Sequence, residues 1–498
     1  MYIGVDCGTQ GTKVVVLDTE QARILGEGYC THPIISDASG RREQKPEWWI
    51  DAFIKSYHSA IASAGISSQS IKGMGVSGQQ HGLVILDKNG DVIRPAKLWC
   101  DTETEPQNAE ILRKLGGESG SLKTLGLVVA TGYTVSKILW LKQNEPESFN
   151  QIAHILLPHD YFNFWLTGSL VTEYGDASGT GYFDVRSKSW QPDVFKLLGC
   201  KHLISALPRL VSAEQPVGQV KQDVADLLGL NSNVVVASGG GDNMMGAIGT
   251  GNIRDGIVTM SLGTSGAIYA CCSRAMKQQS PLIASFCSSN NKWLPLICTM
   301  NVTSSVNIIR ELFSLSITEF NKAAAAAEIG CSGITIVPLF NGERVPDLPD
   351  AQASMLGLNA HNMTKNNLCR AVMEGATFGL RYGLDLLREA DIHGQEIRLI
   401  GGGSNSPLWR QMVADIMDAP IVCPQEGEAA ALGAAIQAVW CDAQLNEAGK
   451  AIELGDLCDR FVSMDESRTA NPDPSAVAAY QKVYEKYKSS LSLIHNVI

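Results

Sequence analysis

Asp6 stands just ahead of Gly8-Thr9-Gln10-Gly11, at the end of an apolar run. The pattern returns far along the chain, where Gly263, Thr264 and Gly266 repeat the spacing of Gly8, Thr9 and Gly11. Each copy reads as an apolar strand, a Gly-Thr turn and a second apolar strand. A turn without bulky side chains lets backbone N–H groups approach an anion, and the Thr hydroxyl adds a donor. Two such hairpins suggest two related domains gripping one polyphosphate from opposite sides, which points to nucleotide-driven phosphoryl transfer. A carboxylate beside phosphates needs a cation between them, and Mg²⁺ binds through one or two carboxylates with water and phosphate. Asp6 is therefore read as the metal-side group, against the commoner role of a turn-stabilising Asp. Ser261 holds the matching place in the second copy, so the clamp is asymmetric. Lys13 is open between a point-charge contact to phosphate and a solvated lysine at a strand edge.

Asp242 follows Gly239-Gly240-Gly241 and precedes Asn243. Three glycines clear space around the next side chain. In phosphoryl transfer the protein mainly positions and stabilises, while a carboxylate accepts the proton of the attacking hydroxyl. The plainer reading makes Asp242 the N-cap of a helix opening at Met244-Met245-Gly246-Ala247, and one residue can do both. Gly78-Gln79-Gln80-His81-Gly82 brackets donor- and acceptor-rich side chains with glycines, which suits sugar or polyol hydroxyls; a polar hairpin turn is the alternative. None of the nine histidines falls into a metal-ligand spacing such as His-Glu-x-x-His. Gly401-Gly402-Gly403-Ser404-Asn405 links a strand to a helix starting near Leu408, an arrangement found at nucleotide sites, without the Gly-Lys-Ser/Thr of a P-loop.

These residues need strands to present them. Period-two runs predict strands at 2–6, 13–18, 23–30, 71–77 and 83–87, and longer apolar periods predict helices at 47–64 and 135–145. The first three strands, joined by tight turns, should form an antiparallel meander, with later strands added in parallel through helices. The second half repeats this rhythm. Strands are expected at 257–262, 266–271, 333–338 and 397–401, with helices at 303–313, 318–328, 366–390 and 407–417 and a helical tail from about 470. The buried-type strand Val234–Ala237 leads into the glycine run, so the domain boundary is placed just after Asn243.

A chain of 498 residues suits two large domains. Its net charge of −11 argues against nucleic acid or anionic lipid as the main partner. Thirteen cysteines, an odd number without a Cys-x-x-Cys pair, favour reduced thiols over a disulfide framework or zinc site. No apolar run approaches the roughly 18 residues of a membrane span, and the N-terminus lacks a signal-peptide pattern, so the expected compartment is the cytoplasm.

At this point the constellation resembles the FGGY carbohydrate kinases, within the actin, sugar kinase and heat-shock ATPase superfamily. Gly132-Tyr133-Thr134-Val135-Ser136-Lys137-Ile138-Leu139-Trp140-Leu141 is similar to the family's first signature, with its Thr-x-x-Lys-x-x-Trp core. Ala353–Leu358 followed by Leu368–Gly375 is similar to the second. Gly78–Gly82, Leu157-Pro158-His159-Asp160-Tyr161, Asn341-Gly342-Glu343-Arg344 with Pro346, and Gly241-Asp242-Asn243 most resemble the members acting on D-xylulose. Glycerol-specific members carry Arg-Glu where Gln80-His81 stands.

The resemblance implies an α/β fold of two ribonuclease-H-like (actin/hexokinase-type) domains, residues 1–246 and 247–498, with the active site in the cleft between them. It implies ATP-dependent phosphorylation of D-xylulose at O5, with Asp242 as general base and Gln80, His81, Asp242 and Asn243 on the sugar. Asp6 would serve Mg²⁺; Thr9, Thr12, Lys13, Gly263 and Thr264 the phosphates; Gly401, Gly402 and Asn405 the adenosine end. A homodimer is compatible with this reading. One departure is visible: many relatives read Asn/Gln-Asp-x-Arg after the Leu-Trp pair, whereas this chain reads Cys100-Asp101-Thr102-Glu103 and lacks that arginine. The same hairpins occur in nucleotide-switched proteins of the actin or heat-shock type, but no residues remain for a chaperone's substrate-binding domain. A family member acting on ribulose, glycerol or gluconate is the nearer alternative.

Overall fold

A computed structural model describes residues 1–277, 280–446 and 452–497. The first sheet starts with the antiparallel meander β1 (Tyr2–Cys7), β2 (Gly11–Asp18) and β3 (Arg23–Thr31). On the other side of β1, β4 (Gly73–Gly78) pairs in parallel, and β4 in turn pairs in parallel with β6 (Val235–Val236) and β7 (Gly240–Gly241). The short β5 (Gly218–Gln219) closes that edge against β6. The second sheet has the same plan. The hairpin β8 (Ile257–Leu262) and β9 (Gly266–Ala270) extends antiparallel to β11 (Trp293–Thr299) and β10 (Ala284–Cys287). On its far side β8 pairs in parallel with β12 (Glu396–Ile400), and β12 with β13 (Ile421–Val422). The Gly-Thr repeat is thus the trace of a repeated sheet in which an antiparallel hairpin borders parallel strands.

Glycines on the first sheet mark where helices lie close. A Cβ on Gly4 would fall 1.9 Å from the Ala431 carbonyl oxygen, and one on Gly75 would fall 2.0 Å from that of Ala434. Both carbonyls belong to the helix Ala429–Asn446, which therefore packs from the C-terminal half onto the first sheet. The same helix crosses Asp242–Gly249 backbone to backbone, since a Cβ on Gly433 would stand 1.9 Å from the Met245 oxygen and 2.8 Å from the Gly249 nitrogen. The sequence reading assigns no helix to 429–446, because its residues are apolar all round rather than along one stripe. Ala431, Leu432, Ala434, Ala435, Ile436 and Ala438 are all buried, on more than one face.

This crossing yields a stability prediction. Gly433→Ala gains about 1 kcal/mol of helix propensity, but it forces a methyl into carbonyl contact that neither backbone can vacate. Overpacking of this kind costs about 1–3 kcal/mol or more. A lower urea midpoint than the parent's is expected, and an unchanged or raised midpoint would contradict the close crossing.

The expected helices are found near their ranges, as Pro46–Ala64, Thr134–Asn144, Thr303–Leu312, Ile317–Ala325, Lys365–Glu389, Pro407–Met417 and Pro474–His495, whereas Glu105–Leu115, Gly117–Leu125, Pro158–Thr167, Gln222–Leu228 and Leu454–Phe461 have no counterpart in the sequence reading. The strands β10 and β11 have no counterpart in the sequence reading; Pro295 interrupts the apolar run of β11, on the strand paired to Ser285. All thirteen cysteines are free thiols. Among the described residues no helix is long and apolar enough to cross a membrane.

Candidate active site

Asp6 lies near the end of β1, and its Oδ1 accepts a 2.7 Å hydrogen bond from Ser77 Oγ, its neighbour on β4. Burial pushes the Asp6 carboxyl up to about 6; the charge of Glu428 adds to this, while the Ser77 bond and Lys13 oppose it. A desolvated carboxylate of this kind is stabilised in its charged form by a cation, so the position fits a hard divalent ion. The turn after β1 is closed by Gly8 N–H donating to the Gly11 carbonyl at 3.0 Å. In this hairpin Thr9 Oγ1 donates to Gln79 Oε1 at 3.1 Å and accepts from Trp99 Nε1 at 2.9 Å.

Two expectations at this end change. Thr12 is fully buried, beside the thiol of Cys7, because its place on β2 turns its side chain into the core. It therefore cannot reach a phosphate from the described conformation. Lys13, opposite Asp6 on β2, is neither free nor simply solvated: its Nζ lies 2.6 Å from Glu428 Oε1 and 3.6 Å from Glu27 Oε2. Glu428 comes from the C-terminal half, so Lys13 ties the two halves beside the first hairpin.

In the second hairpin the Thr264 side chain is exposed, while the carbonyls of Gly263 and Thr264 are held by the start of the following helix. Thr303 Oγ1 donates to Gly263 O at 2.8 Å and Ser304 Oγ to Thr264 O at 2.9 Å. Gly401 follows β12 at φ +87° and packs on the end of β8, where a Cβ would lie 2.7 Å from the Leu262 carbonyl carbon and 3.0 Å from the Gly263 nitrogen. Space around Gly402 is open, and Asn405 Oδ1 accepts from Arg468 at 3.2 Å. The parallel pairing of β8 and β12 thus brings Gly263-Thr264 and Gly401-Gly402 together.

Beside the first hairpin, β7 pairs with β4 in the register Gly240↔Ser77 and Gly241↔Gly78, so Asp242 emerges beside the Gln79–His81 segment and near Asp6. Glycine is required at Gly239 and Gly78 because His159 is packed against both. Asp242 is the first residue of its helix, and the N-cap is Gly241, one position earlier than the sequence suggests. Its Oδ1 accepts from the Asn243 backbone N–H at 2.7 Å and from Asn243 Nδ2 at 3.0 Å. Asn243 Nδ2 also donates to Gln80 Oε1 at 2.9 Å, while the buried Gln80 Nε2 has no partner among the described residues. Burial, helped by the charge of Asp6, pushes the Asp242 carboxyl up to about 7. That value suits a general base working near neutrality.

His81 takes φ +63°, a left-handed conformation costly for a non-glycine residue, and its surroundings enforce it. Its carbonyl accepts from Lys137 Nζ at 2.5 Å and Thr134 Oγ1 at 3.2 Å, and Lys137 also donates to Gly132 O at 2.5 Å. Its ring stacks on Tyr133 at 4.5 Å and tilts against Phe286 at 5.7 Å. Burial first, then the charges of Lys137 and Arg344, depress the imidazole to about 3, so it is neutral at physiological pH. The Thr-x-x-Lys-x-x-Trp core is thereby explained: Thr134 and Lys137 fix His81, and Trp140 faces Lys97 Nζ at 4.0 Å.

Lys137→Met keeps the packing volume but removes the donor to Gly132 O and leaves the His81 carbonyl with Thr134 alone. Burial lowers the Lys137 amine to about 7, so the ordinary hydrogen-bond loss of about 0.5–1.5 kcal/mol applies to each bond, and KM for the sugar should rise several-fold while KM for ATP stays put. An unchanged sugar KM would mean that His81 holds its conformation without Lys137.

The sequence departure at 100–103 has a structural counterpart. Lys97, fully buried, has its Nζ 3.1 Å from Asp101 Oδ2, 2.5 Å from Glu103 Oε2 and 3.3 Å from Glu43 Oε1. The carboxylates of Glu43, Asp101 and Glu103 converge closely enough for a cation, and that place is taken by the lysine. Glu103 is therefore part of a buried ion cluster. Ser77, Trp99, Phe286 and Arg344 also border the site and carry no local spacing signal; Trp99 and Arg344 lie inside motifs already noted, without an assigned role.

Comparison with known proteins places this geometry. The sequence model of the FGGY family of carbohydrate kinases, N-terminal domain, matches residues 1–249, and that of the C-terminal domain matches residues 260–441. A Haemophilus influenzae protein named Xylulose kinase is 53% identical, over 99% of this chain and 100% of its own length. The solved structure of a xyloylose kinase from Brucella ovis superposes with a TM-score of 0.91 at 28% identity, covering 99% of both chains. That of a gluconate kinase from Lactobacillus acidophilus gives a TM-score of 0.90 at 24% identity, covering 99% of this chain and 98% of its own. The last of these speaks for the fold alone.

Proposed function

This chain belongs to the FGGY family of carbohydrate kinases and is a sugar kinase that uses ATP as co-substrate, and we propose that its acceptor is D-xylulose, phosphorylated at O5. The observation that carries the reading is the convergence of Asp242, with its raised pKa, on the Gln80–Asn243 pair at the head of β4 and β7, in a chain 53% identical over its length to a protein named Xylulose kinase.

In this reading the sugar lies between His81, Gln80 and Asn243, with O5 toward Asp242. The unpaired Gln80 Nε2 and the neutral imidazole offer hydrogen bonds to hydroxyls without adding charge. Asp242 takes the proton of the O5 hydroxyl as that oxygen forms its bond to the γ-phosphorus and the β–γ bridging oxygen leaves with ADP. The Gly8-Thr9 and Gly263-Thr264 turns hold the phosphates from two sides, and Gly401, Gly402 and Asn405 border the adenosine. Asp6 is the residue that would hold Mg²⁺, directly or through water; bound there, the ion would neutralise charge on the phosphates. Thr12 takes no part, and Lys13 serves through its link to Glu428.

The test is ADP release with Mg²⁺-ATP against D-xylulose, L-xylulose, D- and L-ribulose, glycerol and gluconate, with a sugar-free blank. The expected result is a large preference for D-xylulose in kcat/KM. Preference for another sugar would keep the kinase and overturn the acceptor.

A further inference from the structure

Arg344 projects from a loop of the C-terminal half to a residue of the N-terminal half: its guanidinium carbon lies 5.9 Å from the centroid of the Trp99 ring. Trp99 in turn donates to Thr9 of the first phosphate hairpin. The base of the Arg344 loop is anchored by its neighbour. The buried Glu343 accepts from Met300 N–H at 2.7 Å, from Asn301 Nδ2 at 3.1 Å and from the Arg344 N–H at 2.8 Å. Arg344 itself is exposed, and no carboxylate among the described residues lies within ion-pair distance of it. Its charge is nonetheless felt by His81 and Tyr133 in the sugar pocket and by Cys298, which also feels Asp242. A loop anchored by Glu343 thus carries a guanidinium with no carboxylate partner among the described residues to the Trp99 ring, within reach of the Cys298 thiol.

We propose that Arg344 is a sugar-binding residue, contributed by the C-terminal half, that closes the mouth of the pocket over Trp99 by donating hydrogen bonds to hydroxyl or carbonyl oxygens of the acceptor. The rigid, planar five-donor fork suits adjacent oxygens on one ligand, which a lysine cannot reproduce. Because the donor comes from the half opposite His81 and Asn243, its bonds form fully only when the two halves are drawn together, so sugar binding and cleft closure are coupled. The proposal rests on the sugar-kinase reading of the same site.

Arg344→Met and Arg344→Lys are compared with the parent on its preferred sugar. Hydrogen bonds from a charged donor account for the expected size: KM for the sugar rises about 10- to 100-fold in Arg344→Met and is only partly restored in Arg344→Lys. KM for ATP and the melting temperature remain at parent values, which also shows that both variants are folded. A sugar KM within twofold of the parent's in Arg344→Met overturns the role of Arg344, as does an equal rise in KM for ATP. A parent that phosphorylates no sugar overturns the kinase reading itself, and the proposal with it.

Discussion

Asp242→Asn is expected to lower kcat by about 10²–10⁴-fold, the range that a positioned general base contributes, while KM for sugar and for ATP change little. Asn keeps the shape of the side chain, and its Oδ1 can still accept from the Asn243 N–H, so the loss is of proton acceptance. The pH profile should carry the same signature. Asp242 acts as a base only when ionised, and its free-enzyme value of about 7 places an acidic limb in kcat/KM near neutrality, with rate rising as pH rises. The variant should lose that limb.

The same shift has a consequence for stability that separates a chemical effect from a folding failure. Folded Asp242 holds its proton up to about 7, whereas the unfolded chain releases it near the ordinary 3.8. Its contribution to stability is therefore fully present below pH 4 and is lost as pH rises through 7. Asp242→Asn escapes this loss. Its melting temperature should exceed the parent's at pH 8, and the difference should narrow as pH falls toward 4. A variant that is folded, binds both substrates and keeps most of its activity would remove Asp242 from the role of base.

Asp6→Asn should show the second largest effect, a fall of about 10²–10³-fold in kcat, comparable to the removal of one preorganised electrostatic group. It should also raise the Mg²⁺ concentration for half-maximal rate by about tenfold or more, since groups that hold or orient a metal's ligands have effects of that size. A further readout needs no metal. Asp6 is the charge that raises Asp242 most, so the Asp242 carboxyl should titrate at lower pH in metal-free Asp6→Asn than in the metal-free parent, measured by carbon NMR of labelled aspartate. Unchanged Mg²⁺ dependence together with an unmoved Asp242 titration would leave Asp6 a partner of Ser77 and nothing more.

The paired hairpins were legible because their requirements are local: short apolar strands, buried on both faces, joined by a turn that tolerates little but glycine and threonine. From them the repeated sheet follows, and β1–β2 and β8–β9 occupy matching places in the two halves. Thr12 was misread because position along a turn does not say which face of the next strand a side chain takes; one residue's difference sends it into the core beside Cys7. Lys13 depends on Glu428, distant in sequence, and no spacing rule joins them. The helix 429–446 escaped notice because it is enclosed between a sheet and another helix, and burial on every side erases the stripe by which helices are recognised. The same limit hid Arg344, whose meaning lies in the tryptophan across the cleft. The missing arginine at position 103 was visible as a departure, but only the structure shows Lys97 and Glu103 as members of one buried cluster.

The measurement that bears most directly on the central claim is NMR of the product formed from D-xylulose and Mg²⁺-ATP. The account predicts stoichiometric ADP and one sugar phosphate whose C5 and C4 carbon signals are split by coupling to phosphorus, with neither forming in Asp242→Asn at parent rates. Phosphorus coupling at C1 and C2, or ATP consumption that yields only inorganic phosphate, would contradict it.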